Sequence, residues 1–438
     1  MNLRSLTLVT GVSGFIGAHV AKQLLEAGHK VRGTVRSLEN EAKIAPLKNL
    51  VPNSKFPLEL VAADLTKDDG WDKAVEGCVG VMHVASPFPD VTTKTVTEEE
   101  LLEPAREGTL RVLKAVAGTK GSVKRVVLTS SLAAVCGEVT PDPSKKYNEE
   151  DWTDPECPTL DPYTKSKVVA EKAAWEYLKE LPDDEKFELA VINPTLVMGP
   201  PLMESHRFST SVNIMAGIVN KTYPGVPRVQ FPICDVRDVA KAHIKALTLP
   251  EAANNRHIIA TDCYWYRDIA VSVAKEFRPQ GYSIATAQLP YVLCWVAGLF
   301  NKPMRNNILP RIGKTMSVDN KRMVEVLGVE PTAIDCTFHD MVYAMVDLGI
   351  AKKAKKYKLV GSHAEVPAVN GEVEEENKEG KEEEEKEKNE GEKELEPEDK
   401  EKKEDEEIKE PKKEEEEKKD DKEEEKKEKE EKEKEAEK

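Results

Sequence analysis

Leu6-Thr7-Leu8-Val9-Thr10-Gly11-Val12-Ser13-Gly14-Phe15-Ile16-Gly17 decides the fold. A short apolar run leads directly into three glycines spaced GxxGxxG, and a helical pattern continues to about Ala27, so the stretch reads as strand, tight turn and helix. Each glycine has a physical task. Gly11 allows the turn, Gly14 lets backbone amides approach a pyrophosphate with no Cβ in the way, and Gly17 permits the helix to pack closely on the sheet. Ser13, Phe15 and Ile16 complete the phosphate-binding loop, and the helix N-terminus adds partial positive charge and N–H donors. A dinucleotide suits this arrangement. A glycine triplet alone carries little weight, and the position at the first strand-to-helix turn is what makes it informative.

Downstream, Val/Leu/Ile-rich runs alternate with helical patterns: KVRGTVR, LELVAADL, GVMHVAS, KRVVLTSS and FELAVINP. Continuous apolar strands separated by amphipathic helices predict α/β architecture, a doubly wound parallel sheet of the Rossmann type covered on both faces. After Pro194 the alternation weakens, and helices such as 236–249 and 308–327 predict a smaller substrate-capping domain. The expected division is 1–195 for the dinucleotide-binding domain, with 229–262 returning to it, 196–358 mostly for substrate, and 365–438 for a tail. The longest apolar run, Leu289 to Phe300, is about half of the roughly 20 residues that a spanning helix needs. It reads as a buried helix, or at most as a surface contact with a membrane.

The tail holds 38 Asp or Glu against 20 Lys and no aromatic residue. Such a composition cannot bury enough apolar surface to offset chain entropy, so disorder or a solvated single helix is expected, the latter from Lys412 onward. Its bland role is solubilising; a weak contact with basic partners is the sharper one. The tail's −18 exceeds the whole-chain −16, leaving about +2 on the first 364 residues. That near-neutral body shows no strong pull toward nucleic acid or membrane. Seven scattered cysteines with no CxxC pair suggest a reducing, cytoplasmic compartment and no metal site. With so few residues ahead of the motif-bearing strand, no signal peptide is expected.

At the exit of the second strand the chain reads Thr34-Val35-Arg36-Ser37, where an enzyme using NAD usually places an acidic residue on the ribose 2′-hydroxyl. A guanidinium there suits a 2′-phosphate and hence NADP(H), with Lys43 assisting; the plain alternative is a solvated surface cation. Asp64 and Leu65, ending the third strand, can border the adenine, although Asp64 is equally an ordinary cap. Val84, Ala85 and Ser86 can line the cofactor through their backbone, whereas His83 reads as a packed histidine.

The fifth strand ends Thr129-Ser130-Ser131, and Tyr163-Thr164-Lys165-Ser166-Lys167 opens a predicted helix. Tyr163 and Lys167, four apart, share a helix face. A phenol titrates near 10 in water, and a cation one turn away is expected to lower that value and suit it to proton transfer. Ser131 can hold a substrate oxygen for that step. YxxxK alone is a poor motif; with the glycine loop and the serine in order it is specific.

TGVSGFIG, HVASP, VVLTSS, YTKSK, INPTLVMGP and DVRDVAKAH, in this order, resemble the extended short-chain dehydrogenase/reductase family of the NAD-dependent epimerase/dehydratase type. Within it the chain is similar to dihydroflavonol reductases and yeast-type methylglyoxal/aldehyde reductases. The resemblance implies that Ser131 polarises a small-molecule carbonyl, Tyr163 protonates it, and Lys167 holds the nicotinamide ribose and tunes the tyrosine. It also places Pro194 and Val197 beside the nicotinamide. Two departures limit the substrate: Cys136 stands where dihydroflavonol reductases carry an asparagine, and Leu160-Asp161-Pro162-Tyr163-Thr164 replaces the NWYCY run of cinnamoyl-CoA reductases. A thiol in place of an amide favours an apolar or aromatic substrate body. A 3β-hydroxysteroid dehydrogenase, a nucleotide-sugar epimerase or dehydratase, and a scaffold carrying the charged tail are the competing readings.

Overall fold

The computed structural model describes residues 5–86, 98–138, 141–222, 224–302 and 304–358. The tail expected at 365–438 lies outside them. The strands are β1 (Leu6–Val9), β2 (Lys30–Val35), β3 (Glu59–Ala62), β4 (Cys78–His83), β5 (Arg125–Thr129), β6 (Lys146–Tyr147), β7 (Glu188–Pro194), β8 (Leu196–Met198), β9 (Gln230–Asp235), β10 (Arg256–Ile259), β11 (Asp262–Trp265) and β12 (Ser317–Val318). Between them run α1 (Phe15–Glu26), α2 (Glu41–Lys48), α3 (Trp71–Val75), α4 (Glu99–Gly118), α5 (Pro162–Glu180), α6 (Thr210–Val219), α7 (Val236–Thr248), α8 (Tyr266–Phe277), α9 (Tyr291–Phe300) and α10 (Ile334–Asp347).

Seven strands form one sheet in the order β10-β7-β5-β4-β1-β2-β3, and every pairing in it is parallel. Its apolar strands follow from burial on both faces. Side chains alternate across a sheet, so Val127 of β5 and Ala190 and Ile192 of β7 join the core under α1, α2 and α7. Their neighbours Val126, Leu128, Leu189 and Val191 join the opposite core under α3, α4 and α5. Each of the valines, leucines and the isoleucine among them, removed from water, contributes about 1.5–3 kcal/mol. After leaving the sheet at β7 the chain returns to it through α7 and β10.

A separate core gathers Met198, Ile233 and the inner faces of α6, α8 and α10, beside the three-stranded sheet β11-β9-β8. Two expectations fail in this half. The helix expected over 308–327 is broken into a single turn at Leu309–Arg311, the short strand β12 and a wide turn at Arg322–Val326. Pro310 and Gly313, the latter at φ +76°, interrupt the pattern, and Ser317 and Val318 pair with Lys146 and Tyr147 instead. The run at 289–300 does form a helix, α9, but it is not buried. Only Cys294 and Gly298 face inward, while most of its large apolar side chains are exposed.

Candidate active site

Because the seven strands are parallel, their C-terminal ends share one edge, and the loops leaving them meet there. The chain winds outward from β1 to β3 on one side and to β10 on the other, which opens a crevice above β1 and β4. That topology alone gathers Gly11–Gly17, Arg36, Asp64, Val84–Ser86, Ser131 and Pro194, residues far apart in sequence. Val197 follows on β8.

The glycine loop is held from both sides. Gly11 has φ +67°, and a Cβ there would meet the Ala85 Cβ at 3.0 Å. Its N–H donates to Thr34 Oγ1 at 3.0 Å, and the Ala85 N–H donates to Thr10 Oγ1 at 2.9 Å. At Gly17 a Cβ would lie 2.3 Å from the Gly11 carbonyl oxygen, which fixes how closely α1 approaches the loop. α1 starts behind Gly14 with no side-chain cap and no acid in its first turn. Its leading N–H groups and its dipole therefore suit a pyrophosphate. Phe15 packs edge-on against His19 and His206, with ring centroids 5.8 and 5.6 Å away.

Arg36 is exposed immediately beyond β2. Burial pushes the Asp64 carboxyl up, but hydrogen bonds from Thr66 together with the charges of Arg36 and Lys67 prevail, and its pKa is lowered. Asp64 also acts as the ordinary cap, accepting from Thr66 N–H at 3.0 Å and Thr66 Oγ1 at 2.9 Å. Leu65 is buried. Lys43 lies in the first turn of α2 with its side chain exposed, and among the described residues no hydrogen bond or ion pair joins it to Arg36. His83 is packed: it is buried and bonded to Thr10 Oγ1 at 3.0 Å.

The start of α5 is set by Asp161-Pro162. The Asp161 side chain accepts from Thr164 N–H at 3.0 Å and from Thr164 Oγ1 at 2.7 Å, and Pro162 occupies the first helical position. Tyr163 thus enters the first turn and Lys167 the second. The Tyr163 phenol is hydrogen-bonded to the Ser131 side chain, whose Oγ also accepts from Ala133 N–H at 3.1 Å. Lys167 Nζ lies 5.7 Å from the Tyr163 ring centroid and donates to Ser86 Oγ at 3.0 Å.

The expected lowering of the tyrosine is not found. Tyr163 is 37 % exposed as a residue, yet its hydroxyl is enclosed, and burial raises its pKa against the Ser131 hydrogen bond. The lysine donates to Ser86 Oγ. Burial brings Lys167 itself down to about 8, with the negative charge of Glu171 opposing.

Glu171, one turn beyond Lys167, is the residue the sequence reading missed. It is 1 % exposed and accepts from Ser130 Oγ at 2.5 Å, Asn193 Nδ2 at 2.9 Å, Trp175 Nε1 at 3.3 Å and Arg256 Nε at 2.6 Å. Asn193 Nδ2 also donates to the Ser131 carbonyl oxygen at 3.2 Å, so this network reaches the backbone of the serine. A cavity of about 20 Å³ between Ser86, Ser130, Lys167 and Glu171 has room for one water molecule. The available signal was spacing: Tyr163, Lys167 and Glu171 stand at i, i+4 and i+8, and a glutamate on the inner side of a helix requires partners.

A glycine-rich loop at the point where the strand order reverses, facing Ser131, Tyr163 and Lys167, has the arrangement of a nicotinamide-dependent oxidoreductase. Residues 7–260 match the NAD dependent epimerase/dehydratase family, and the chain belongs to that family, the extended short-chain dehydrogenases/reductases. It is 40 % identical over 292 residues to an uncharacterised oxidoreductase of Schizosaccharomyces pombe, covering 64 % of this chain and 84 % of that one. To cinnamoyl-CoA reductase 1 of Petunia hybrida it is 38 % identical over 280 residues, 64 % and 78 % of the two chains. Among solved structures it is similar to yeast methylglyoxal/isovaleraldehyde reductase Gre2 complexed with NADPH, with a TM-score of 0.63, 30 % identity, and coverage of 78 % and 99 %. These relatives agree with carbonyl reduction in general.

Proposed function

We propose that the protein uses NADPH to reduce a small aldehyde or ketone to its alcohol, with Tyr163 as proton donor. The observation that carries this reading is the hydrogen bond between Ser131 and the Tyr163 phenol at the sheet edge that also holds the glycine loop. The loop from Gly11 to Gly17 and the start of α1 would hold the pyrophosphate, and the forked guanidinium of Arg36 would take the 2′-phosphate. Ser86, Lys167, Pro194 and Val197 would border the nicotinamide and its ribose. When bound, the nicotinamide supplies the hydride that the carbonyl carbon receives.

The chain's own groups handle the oxygen. Ser131 Oγ holds it beside the Tyr163 O–H, and burial keeps that phenol protonated until it donates. The phenolate left behind forms close to the Lys167 ammonium, which stabilises it until a proton returns from solvent. Two effects at one tyrosine are thereby separated: burial maintains the acid, and the lysine charge acts once the proton has left. Beside Ser131, the buried Leu132, Val135 and Cys136 form an apolar cluster with Met316 and Val318 packed on it. Burial pushes the Cys136 thiol far up, so it is neutral, and an apolar or aromatic substrate body fits this wall. All seven cysteines are free, which supports a cytoplasmic, reducing setting.

Following NADPH oxidation with aldehydes, ketones, dihydroflavonols and cinnamoyl-CoA tests the reading. We expect turnover with aliphatic or aromatic aldehydes and a preference over NADH of at least about tenfold. Equal use of NADH would remove Arg36 from its role, and silence toward every carbonyl would defeat the proposal.

A further inference from the structure

α9 is an anomaly in a chain whose other helices bury an apolar stripe. Tyr291, Val292, Leu293, Trp295, Val296, Leu299 and Phe300 are all exposed, with Trp295 at 49 % and Phe300 at 89 %. Only Cys294 and Gly298, four residues apart, turn inward. At Gly298 a Cβ would lie 2.6 Å from Leu309 Cδ1 and 3.5 Å from the Arg305 Cα. The helix is thus clasped along one narrow line by the segment that follows it, and the rest of its circumference projects.

The charge around it is equally one-sided. Although the chain holds 81 Asp and Glu, none occurs between Glu276 and Asp319, a stretch carrying Arg278, Lys302, Arg305, Arg311 and Lys314. Lys302, Arg305, Arg311 and Lys314 have no carboxylate partner among the described residues. Lys302 follows the helix directly, and the Arg305 backbone lies against Gly298, so these cations border the apolar surface. The chain's negative excess resides in 365–438.

Aromatic and aliphatic side chains exposed on a helix too short to span, rimmed by uncompensated cations, match the chemistry of a bilayer interface with anionic headgroups. Trp and Tyr favour the headgroup level, and Leu and Phe reach the acyl boundary. We propose that α9 and the basic segment after it form a docking surface for an anionic membrane, which brings the reductase to the interface without crossing it. A second copy of the chain would cover the apolar side chains but would leave Lys302 and Arg305, without a carboxylate partner among the described residues, beside a desolvated contact, which is costly. The lipid headgroup answers both halves of the surface.

The test is co-sedimentation of the full chain with vesicles of phosphatidylcholine alone, and of phosphatidylcholine with phosphatidylserine at about two to one. A parallel measurement follows quenching of Trp295 by brominated acyl chains, assigned with Trp295→Phe. We expect binding to the mixed vesicles at low salt, at least about tenfold weaker to phosphatidylcholine alone and weaker again as salt rises. Trp295→Ser with Phe300→Ser should abolish it, and Lys302→Ser with Arg305→Ser should remove the preference for phosphatidylserine. Because these side chains are exposed, the variants should retain the melting temperature of the parent. Absence of binding at low salt, equal binding to both vesicle types, indifference to the Trp295 and Phe300 substitutions, or a dimer in which Trp295 is shielded would each overturn the proposal.

Discussion

Tyr163, Lys167 and Glu171 form one line along α5, and their chemistry depends on what lies behind them as much as on what they face. Lys167 is brought down to about 8 by burial, with Glu171 opposing. A protonated lysine is needed to stabilise a phenolate, so activity should fall as pH rises through that value. In Glu171→Gln the opposing charge is gone, and the alkaline limb of kcat/KM should move to lower pH. The same change leaves the buried Arg256 without its anion, a loss of about 3–5 kcal/mol in such settings, so the melting temperature should drop as well. A pH profile unmoved by Glu171→Gln would show that the glutamate serves the fold alone. Ser131, Tyr163 and Lys167 were legible in the sequence because a reacting group needs particular atoms at particular spacings. Glu171 was not, because its partners Ser130, Asn193 and Arg256 are brought to it only by the sheet.

The turn from β1 into α1 is the element most fully written in the sequence, since each glycine there answers a local steric demand. The contacts separate those demands. An alanine at Gly17 would place its Cβ 2.3 Å from a backbone oxygen that cannot step aside, whereas at Gly14 the nearest atom is 3.3 Å away. Gly17→Ala should therefore cost about 1–3 kcal/mol, visible in a thermal melt. Gly14→Ala should keep the melt and weaken NADPH, read by titration of cofactor fluorescence. The reverse pattern would mean that the two glycines have been assigned each other's roles. α9 and the segment 308–327 show the opposite case. Apolar periodicity signals a helix but not what covers it, and β12 exists only because Lys146 and Tyr147 offer a partner distant in sequence.

The parallel sheet was readable because strands buried on both faces are apolar throughout, whereas the second core, assembled from α6, α8 and α10, has no comparable local signature. The whole body shares one electrostatic property. His19, His83, His206, His243 and His257 are nearly inaccessible, and burial lowers each of them to about 3 or 4. Unfolded, they accept protons below about 6.5. Their contribution to stability is therefore fully present above that pH and is lost as pH falls from 6.5 toward the folded values, with a ceiling of about 1.4 kcal/mol per histidine per pH unit. Glu149 and Asp238, raised by burial, act in the opposite sense but are outnumbered. The melting temperature should decline steeply between pH 7 and about 5; a flat profile there would contradict the burial of these rings. The role of Tyr163 as proton donor is tested most directly by NADPH binding and aldehyde turnover side by side in Tyr163→Phe. Cofactor affinity should stay within about threefold of the parent while turnover falls by about a thousandfold. Turnover near that of the parent, with cofactor bound, would contradict it.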